Sequence, residues 1–87
     1  MKLSEPQKRV LRTMYKYTCE IGESRFGHET HLRYEARTGQ PHPRSATIRV
    51  LVQYGLLRAY RVDWFCSAYL LTSQGQAKAK ELQDAQD

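Results

Sequence analysis

The first quarter of the chain has the hydrophobic pattern of an amphipathic helix. Its apolar side chains are spaced four, three and four residues apart, at Val10, Met14, Tyr17 and Ile21. This spacing places them on one face of a helix, where they can pack against a core. Ser4 and Gln7 have the spacing of a capping box, and Pro6 is tolerated in a first turn. We therefore predict a helix from Ser4 towards Ile21, ended by Gly22 in the left-handed conformation.

A second, shorter helix is predicted after a break in the pattern. Residues 23–27 lose the helical spacing and indicate a connector or a very short strand. Residues 29–38 favour a helix, because Leu32 and Ala36 lie four positions apart and Gly39 follows as a stop signal.

A proline-rich turn separates the second helix from a third, at about residues 43–54. Residues 40–43 cannot continue a helix, because each of their two prolines disfavours helical geometry in the residue before it. Pro43 suits the first position of the next helix, with His42 or Ser45 as its cap.

The third helix is predicted to have an apolar face and a polar face. At 3.6 residues per turn, Leu51 and Val52 fall close to Ile48, and we expect these three side chains to point inwards. Gly55 then ends the helix. The opposite side carries small, basic and amide groups: Ala46, Arg49, Val50 and Gln53.

The remaining chain is predicted to form two strands and a last helix. Residues 56–72 are rich in Leu, Tyr, Val and aromatic side chains and contain no proline, which favours two strands joined around residues 63–66. A helix follows from Thr72 or Ser73 and frays near Asp87. The order is three helices, two strands and a helix, which predicts one α+β domain spanning residues 1–87.

Positive charge is unevenly distributed along this predicted domain, with a net charge of +7 in residues 1–61 and −2 in residues 62–87. The chain has 14 Lys and Arg against 9 Asp and Glu, a formal charge of +5. Residues 36–62 contain five arginines and no carboxylate. Such a segment is typical of a surface that binds a polyanion. The alternative is a solvated basic face that has no partner.

Composition narrows the function classes further. With 87 residues, the chain can bury one core but not a cofactor domain beside a deep substrate cavity. No apolar run approaches the roughly 20 residues that span a bilayer, and the first residues do not resemble a secretory signal, so we expect a cytoplasmic protein. The sequence contains no nucleophile-elbow or phosphate-loop motif. We expect neither enzymatic activity nor a cofactor.

The order of the elements and two local motifs resemble a winged helix-turn-helix domain. Residues 45–58, from Ser45-Ala46-Thr47-Ile48-Arg49 to Gly55-Leu56-Leu57-Arg58, are similar to the recognition helix of MarR-like and PadR-like regulators. The segment 69–77, with Leu71-Thr72 and then Gly75, is similar to the motif that closes the wing in those families. The resemblance covers about residues 5–82. It does not include the long extra helices that MarR proteins use for dimerisation and ligand binding.

This resemblance implies sequence-specific binding of double-stranded DNA by a small transcriptional regulator. The third helix would enter the major groove, and the wing, at about residues 56–72, would lie near the backbone. On that model Arg49 contacts a guanine, Gln53 an adenine, and Ala46 or Thr47 a thymine methyl group. The remaining predicted DNA contacts lie mainly at the phosphates: Arg37, Arg44, Ser45, Arg58, Tyr60 and Arg61.

The oligomeric state and an alternative function follow from the small size and the fold of such a module. A single module buries too little surface for tight binding, so we expect a homodimer, joined through the first helix, the last helix or Trp64. A protein-interaction module within a larger nucleic-acid-processing assembly is the alternative function.

The sequence also offers a candidate zinc site and a candidate redox-sensing cysteine. His28 and His31 with Cys19 form a sparse zinc-ligand pattern, and solvent-exposed histidines explain it as well. Cys19 is either a buried bystander or a redox-sensing thiol. We expect Cys19 and Cys66 to be reduced.

Overall fold

The computed structural model describes residues 2–24, 29–63 and 66–86, and the side chains of residues 2–22, 34–60 and 67–85. It contains four helices and three strands within these residues. In chain order they are α1 (Glu5–Tyr17), β1 (Ile21–Ser24), α2 (Glu29–Thr38), α3 (Ser45–Gln53), β2 (Leu57–Asp63), β3 (Cys66–Leu71) and α4 (Ser73–Gln86).

Helix α1 begins as predicted and ends earlier. The Ser4 hydroxyl accepts a hydrogen bond from the Gln7 amide at 3.4 Å, and the Gln7 side chain accepts one from the Ser4 amide at 2.9 Å. At the other end, Thr18 adopts the left-handed conformation with φ of 50°. The prediction that the helix reaches Ile21 and stops at Gly22 was wrong. Ile21 instead begins β1, where its side chain is 0% exposed.

The sheet is antiparallel with strand order β1-β3-β2. The sequence predicted a two-stranded wing and left a very short strand open at residues 23–27; β1 is a third strand, and it pairs Ile21 with Tyr69 and Gly22 with Ala68. This pairing satisfies backbone groups along the free edge of β3 that a two-stranded wing would leave exposed. Ile21 pairs with Tyr69 and Leu57 pairs with Leu71, and Tyr69 and Leu71 share one face of β3 because they are two positions apart. Ile21 and Leu57 therefore both turn towards the core.

The core lies between the inner face of the sheet and the helices. Helix α1 packs against α4, α3 and α2, and α3 packs against β2. Ile48 and Leu51 of α3 are fully buried, as the helical wheel predicted, and Val52 packs partly buried against the same core. The side chains at the centre are Leu11, Met14, Ile21, Ile48 and Leu51.

Two glycines and a threonine set the boundaries of the later elements. Gly39 and Gly55 have positive φ angles of 68° and 76°, which confirms both predicted helix stops. Helix α4 starts at Ser73, as predicted, and Thr72 caps it. The Thr72 hydroxyl accepts from the Gly75 amide at 3.0 Å and donates to the Gly55 carbonyl at 2.6 Å.

The start of α3 differs from both predicted caps. Arg44 occupies the N-cap position and makes no side-chain hydrogen bond to the helix, so His42 and Ser45 do not cap it. The His42 ring is held elsewhere: its Nε2 lies 3.0 Å from the Gly22 carbonyl oxygen, and the ring packs edge-on against Tyr34. His42 therefore ties the turn before α3 to β1 and α2.

The arrangement is consistent with a winged-helix-like fold, in which α3 follows a short turn and the hairpin of β2 and β3 follows α3. In the part of the chain that the structure describes, no helix combines the length and apolar character needed to span a bilayer.

Candidate nucleic-acid interface

Helix α3 presents one exposed strip to solvent, which we call the α3 ridge and define as Ser45, Ala46, Arg49 and Gln53. All four side chains are exposed, and they fall within about 100° of one another on the helical wheel. Ile48 and Leu51 occupy the opposite side and anchor the helix in the core. The ridge therefore carries a guanidinium, an amide, a hydroxyl and a methyl group on a helix that cannot rotate freely.

One predicted base contact, Thr47, and one residue predicted to face outwards, Val50, lie off this ridge. Thr47 and Val50 are half-buried, because the wheel places them on the flank between the ridge and the core. Thr47 is consequently less accessible to a thymine methyl group than Ala46, which is exposed.

Positive charge at the ridge is not neutralised within the described side chains. Arg44 and Arg49 are exposed, and neither takes part in an ion pair there. The described ion pairs lie elsewhere, at Lys8 with Glu5 and at Lys78 with Glu81. An anion that approaches the ridge therefore meets two arginines that no ion pair within the described side chains neutralises.

The structure separates Arg58 from the α3 ridge. Leu57 is 2% exposed and packs in the same core cluster as Ile48 and Leu51 of α3. Because successive residues of a strand point to opposite faces, the exposed side chain of Arg58 lies on the outer face of the sheet. Arg61 pairs with Ser67 next to an irregularity in β2, and its side chain lies outside those described.

Tyr60 shares the outer face of the sheet with Arg58. Its hydroxyl donates a hydrogen bond to the Glu20 carboxylate, across the sheet from β2. This carboxylate would repel a phosphate placed at the Tyr60 hydroxyl, so the geometry disfavours the predicted phosphate contact there.

Arg37 lies at the end of α2, also away from the ridge. Its Nη2 atom donates to the Tyr17 carbonyl oxygen at 3.3 Å, next to the end of α1. Arg37 also borders a cleft of about 580 Å³. The guanidinium is exposed and borders Cys19 and Tyr34 rather than α3.

Cys19 and Tyr34 are the titratable groups of this cleft whose pKa values are shifted. Burial raises the pKa of the Cys19 thiol, although the nearby Arg37 lowers it in part. Burial also raises the pKa of Tyr34 to about 12, with a smaller contribution from Cys19, while a hydrogen bond with Thr13 acts in the opposite direction. Cys19 is a free thiol, and a raised pKa favours the unreactive protonated form.

We expect Cys19 to react slowly with iodoacetamide at neutral pH, because the raised pKa keeps its thiolate fraction below that of an unperturbed thiol. The Cys66→Ser protein isolates this thiol, and mass spectrometry follows its alkylation with and without urea. Alkylation should accelerate severalfold on unfolding. A folded-state rate equal to that of free cysteine would contradict the assignment and restore the redox-sensor alternative.

A second basic surface, which the sequence analysis did not single out, lies on α1. We call it the α1 basic groove and define it by Arg9, Arg12, Lys16, Gln40 and Gln83, which border a cavity of about 330 Å³. The signal was present in the sequence, because Arg9, Arg12 and Lys16 are spaced three and four residues apart. It was missed because these cations lie outside the carboxylate-free segment 36–62, from which the polyanion surface was predicted.

The zinc alternative receives no support from the described residues. His28 and the side chain of His31 lie outside them. Among the residues that are described, no group of three or more His, Cys, Asp or Glu side chains could hold a metal ion.

Comparison with known proteins gives one informative structural likeness. No protein-family model and no curated protein matches the chain. A solved structure, the complex structure of hsRosR-S1, is similar with a TM-score of 0.66 and 23% sequence identity. The likeness covers 97% of this chain and 72% of that chain. At this identity the likeness supports the fold alone, and the MarR-like and PadR-like resemblance stays a prediction.

Proposed function

We propose that the protein is a sequence-specific double-stranded DNA-binding regulator that places α3 in the major groove. The observation that carries this proposal is the α3 ridge, an exposed strip with Arg49 and Gln53 one turn apart and no carboxylate in residues 36–62. Helix α3 has nine residues and is therefore about 13 Å long. An α-helix with its side chains is about 10 to 12 Å in diameter, which fits a major groove roughly 12 Å wide.

The side chains of the ridge match the groups that distinguish base pairs. Arg49 can donate two hydrogen bonds to a guanine edge, and Gln53 can both donate to and accept from an adenine. Ala46 offers a methyl group to thymine. Arg44 and Ser45 lie at the start of the helix, where the helix dipole favours a phosphate.

In this proposal the wing contacts the DNA backbone, and the protein binds DNA as a homodimer. The hairpin of β2 and β3 then lies beside the DNA backbone that flanks the major groove. Arg61, next to the irregularity in β2, is the predicted phosphate contact. A single winged module buries about 600 to 1,000 Å² on DNA, so a homodimer provides the affinity that a regulator needs.

The proposal predicts a steep dependence of binding on salt. With Arg44, Ser45 and Arg61 as backbone contacts, the slope of log K against log salt concentration should be roughly −2 to −3 per chain, because each contact releases counterions. Fluorescence anisotropy with a labelled duplex from about 50 to 200 mM salt measures it. A flat response would contradict DNA binding and would favour the protein-interaction alternative.

A further inference from the structure

The α1 basic groove is separate from the α3 ridge and has its own charge arrangement. Arg9 and Lys16 are exposed and Arg12 is half-buried. Arg9 and Arg12 form no ion pair within the described side chains, and the Lys16 ammonium lies 5.5 Å from the centre of the Tyr17 ring. Three cations thus line one side of a cavity whose other described lining side chains are all uncharged. Mutual repulsion among them is relieved when an anion occupies the cavity.

The spacing of these cations suits a chain of phosphates better than one small anion. Arg9 and Lys16 are seven residues apart, which corresponds to roughly 10 Å along a helix. One strand of duplex DNA places a phosphate about every 3.4 Å of its axis, so a row of this length can contact two or more successive phosphates. Gln40 and Gln83 on the neighbouring elements add amide donors that can bind phosphate oxygens.

The groove also lies next to the start of α3. Gln40 belongs to the turn between α2 and α3, four residues before Arg44. Four residues of extended chain span at most about 14 Å. A duplex that contacts Arg44 at the start of α3 is therefore close enough for a neighbouring stretch of its backbone to reach the groove.

We propose that the α1 basic groove binds the sugar-phosphate backbone of the same duplex, beyond the segment held by the α3 ridge. This inference rests on the proposed function and extends it. The groove supplies affinity without sequence preference, because its arginines and lysine contact phosphates rather than base edges. It also lengthens the DNA segment that one chain covers.

The test compares two proteins that have lost the same amount of charge. Arg9→Gln/Arg12→Gln removes two cations from the groove, and Lys2→Gln/Lys80→Gln removes two exposed cations that do not line it. The four replaced side chains lie outside the buried core, and circular dichroism melts establish that both variants fold. Anisotropy titrations use a short duplex limited to the α3 contact and a duplex extended by about one helical turn on each side.

The groove variant should lose affinity equally for a selected and a random duplex, and its salt slope should fall by about 1.8 on the long duplex, at 0.9 per phosphate contact. Extending the duplex should strengthen binding of the wild-type and control proteins and leave the groove variant unchanged. If the groove variant matches the control on both duplexes, the groove inference is overturned while the proposed function stands. If the wild-type protein binds neither duplex, both are overturned.

Discussion

Replacing Arg49 and Gln53 together with alanine should abolish discrimination between a preferred duplex and random sequence. Both side chains lie on the exposed α3 ridge, whereas the buried side chains that anchor α3 are Ile48 and Leu51. A bidentate contact between a side chain and a base contributes about 1 to 3 kcal/mol of discrimination. Losing two such contacts should reduce the preference at least about 30-fold, since 1.4 kcal/mol corresponds to a factor of ten.

Selection from a random pool of duplexes, performed with the wild-type protein, provides the preferred sequence. Competition titrations of wild-type and variant proteins then compare the preferred and random duplexes at two salt concentrations. The control is Arg58→Ala/Gln76→Ala, which removes the same residue types from exposed positions on β2 and α4. Because Arg58 lies on the outer face of the sheet, this control should keep its selectivity.

The result distinguishes the two functions inferred from the sequence, a DNA-binding regulator and a protein-interaction module. A folded Arg49→Ala/Gln53→Ala protein that discriminates as well as wild type would exclude base recognition by the α3 ridge. If that protein instead lost a protein partner while its DNA binding stayed unchanged, the interaction-module alternative would be supported.

Substituting Gly75 with alanine should destabilise the fold by about 3 kcal/mol, the upper part of the usual range for overpacking. Gly75 is buried in the first turn of α4. A β-carbon there would overlap the carbonyl oxygen of Leu56 and come within 3.2 Å of the Leu71 side chain. The Leu56 oxygen already accepts the Thr72 amide at 3.1 Å, so neither backbone segment can move without breaking that contact.

Helix propensity predicts the opposite sign at this position. In an unobstructed helix, glycine to alanine stabilises by about 1 kcal/mol. Urea unfolding of Gly75→Ala measures the balance, and Gln76→Ala, at the next and exposed position, is the control that should be nearly neutral. An unfolding midpoint for Gly75→Ala equal to or above that of wild type would show that α4 does not approach the Leu56 backbone this closely.

Most of the secondary structure followed from local sequence. The capping box at Ser4 and Gln7 and the stops at Gly39 and Gly55 depend on neighbouring residues and backbone conformation, and the structure confirms them. The inward side chains of α3 were predicted equally well, because helical periodicity alone determines which residues share a face. Ala46, Arg49 and Gln53 of the α3 ridge were therefore predicted from the sequence, whereas Val50, predicted to share their face, is half-buried.

Other features depended on segments far apart in the chain. Ile21 has a place in the helical pattern of α1, but pairing with Tyr69 draws it into the sheet, and Thr18 ends the helix first. His42 is adjacent to the start of α3, yet its ring lies against Gly22 and Tyr34 instead of capping the helix. Local propensity does not register such contacts, so it misplaced both residues.

By itself, the sequence determined the order of the helices, the hairpin and the chemical character of the α3 ridge, because periodicity, capping and charge are local properties. Tertiary structure alone decided that Arg58 and Tyr60 lie on the outer face of the sheet, that β1 completes the sheet, and that Gln40 and Gln83 meet the basic side chains of α1. Those relations join residues 20 or more positions apart, and only packing around a shared core brings them together.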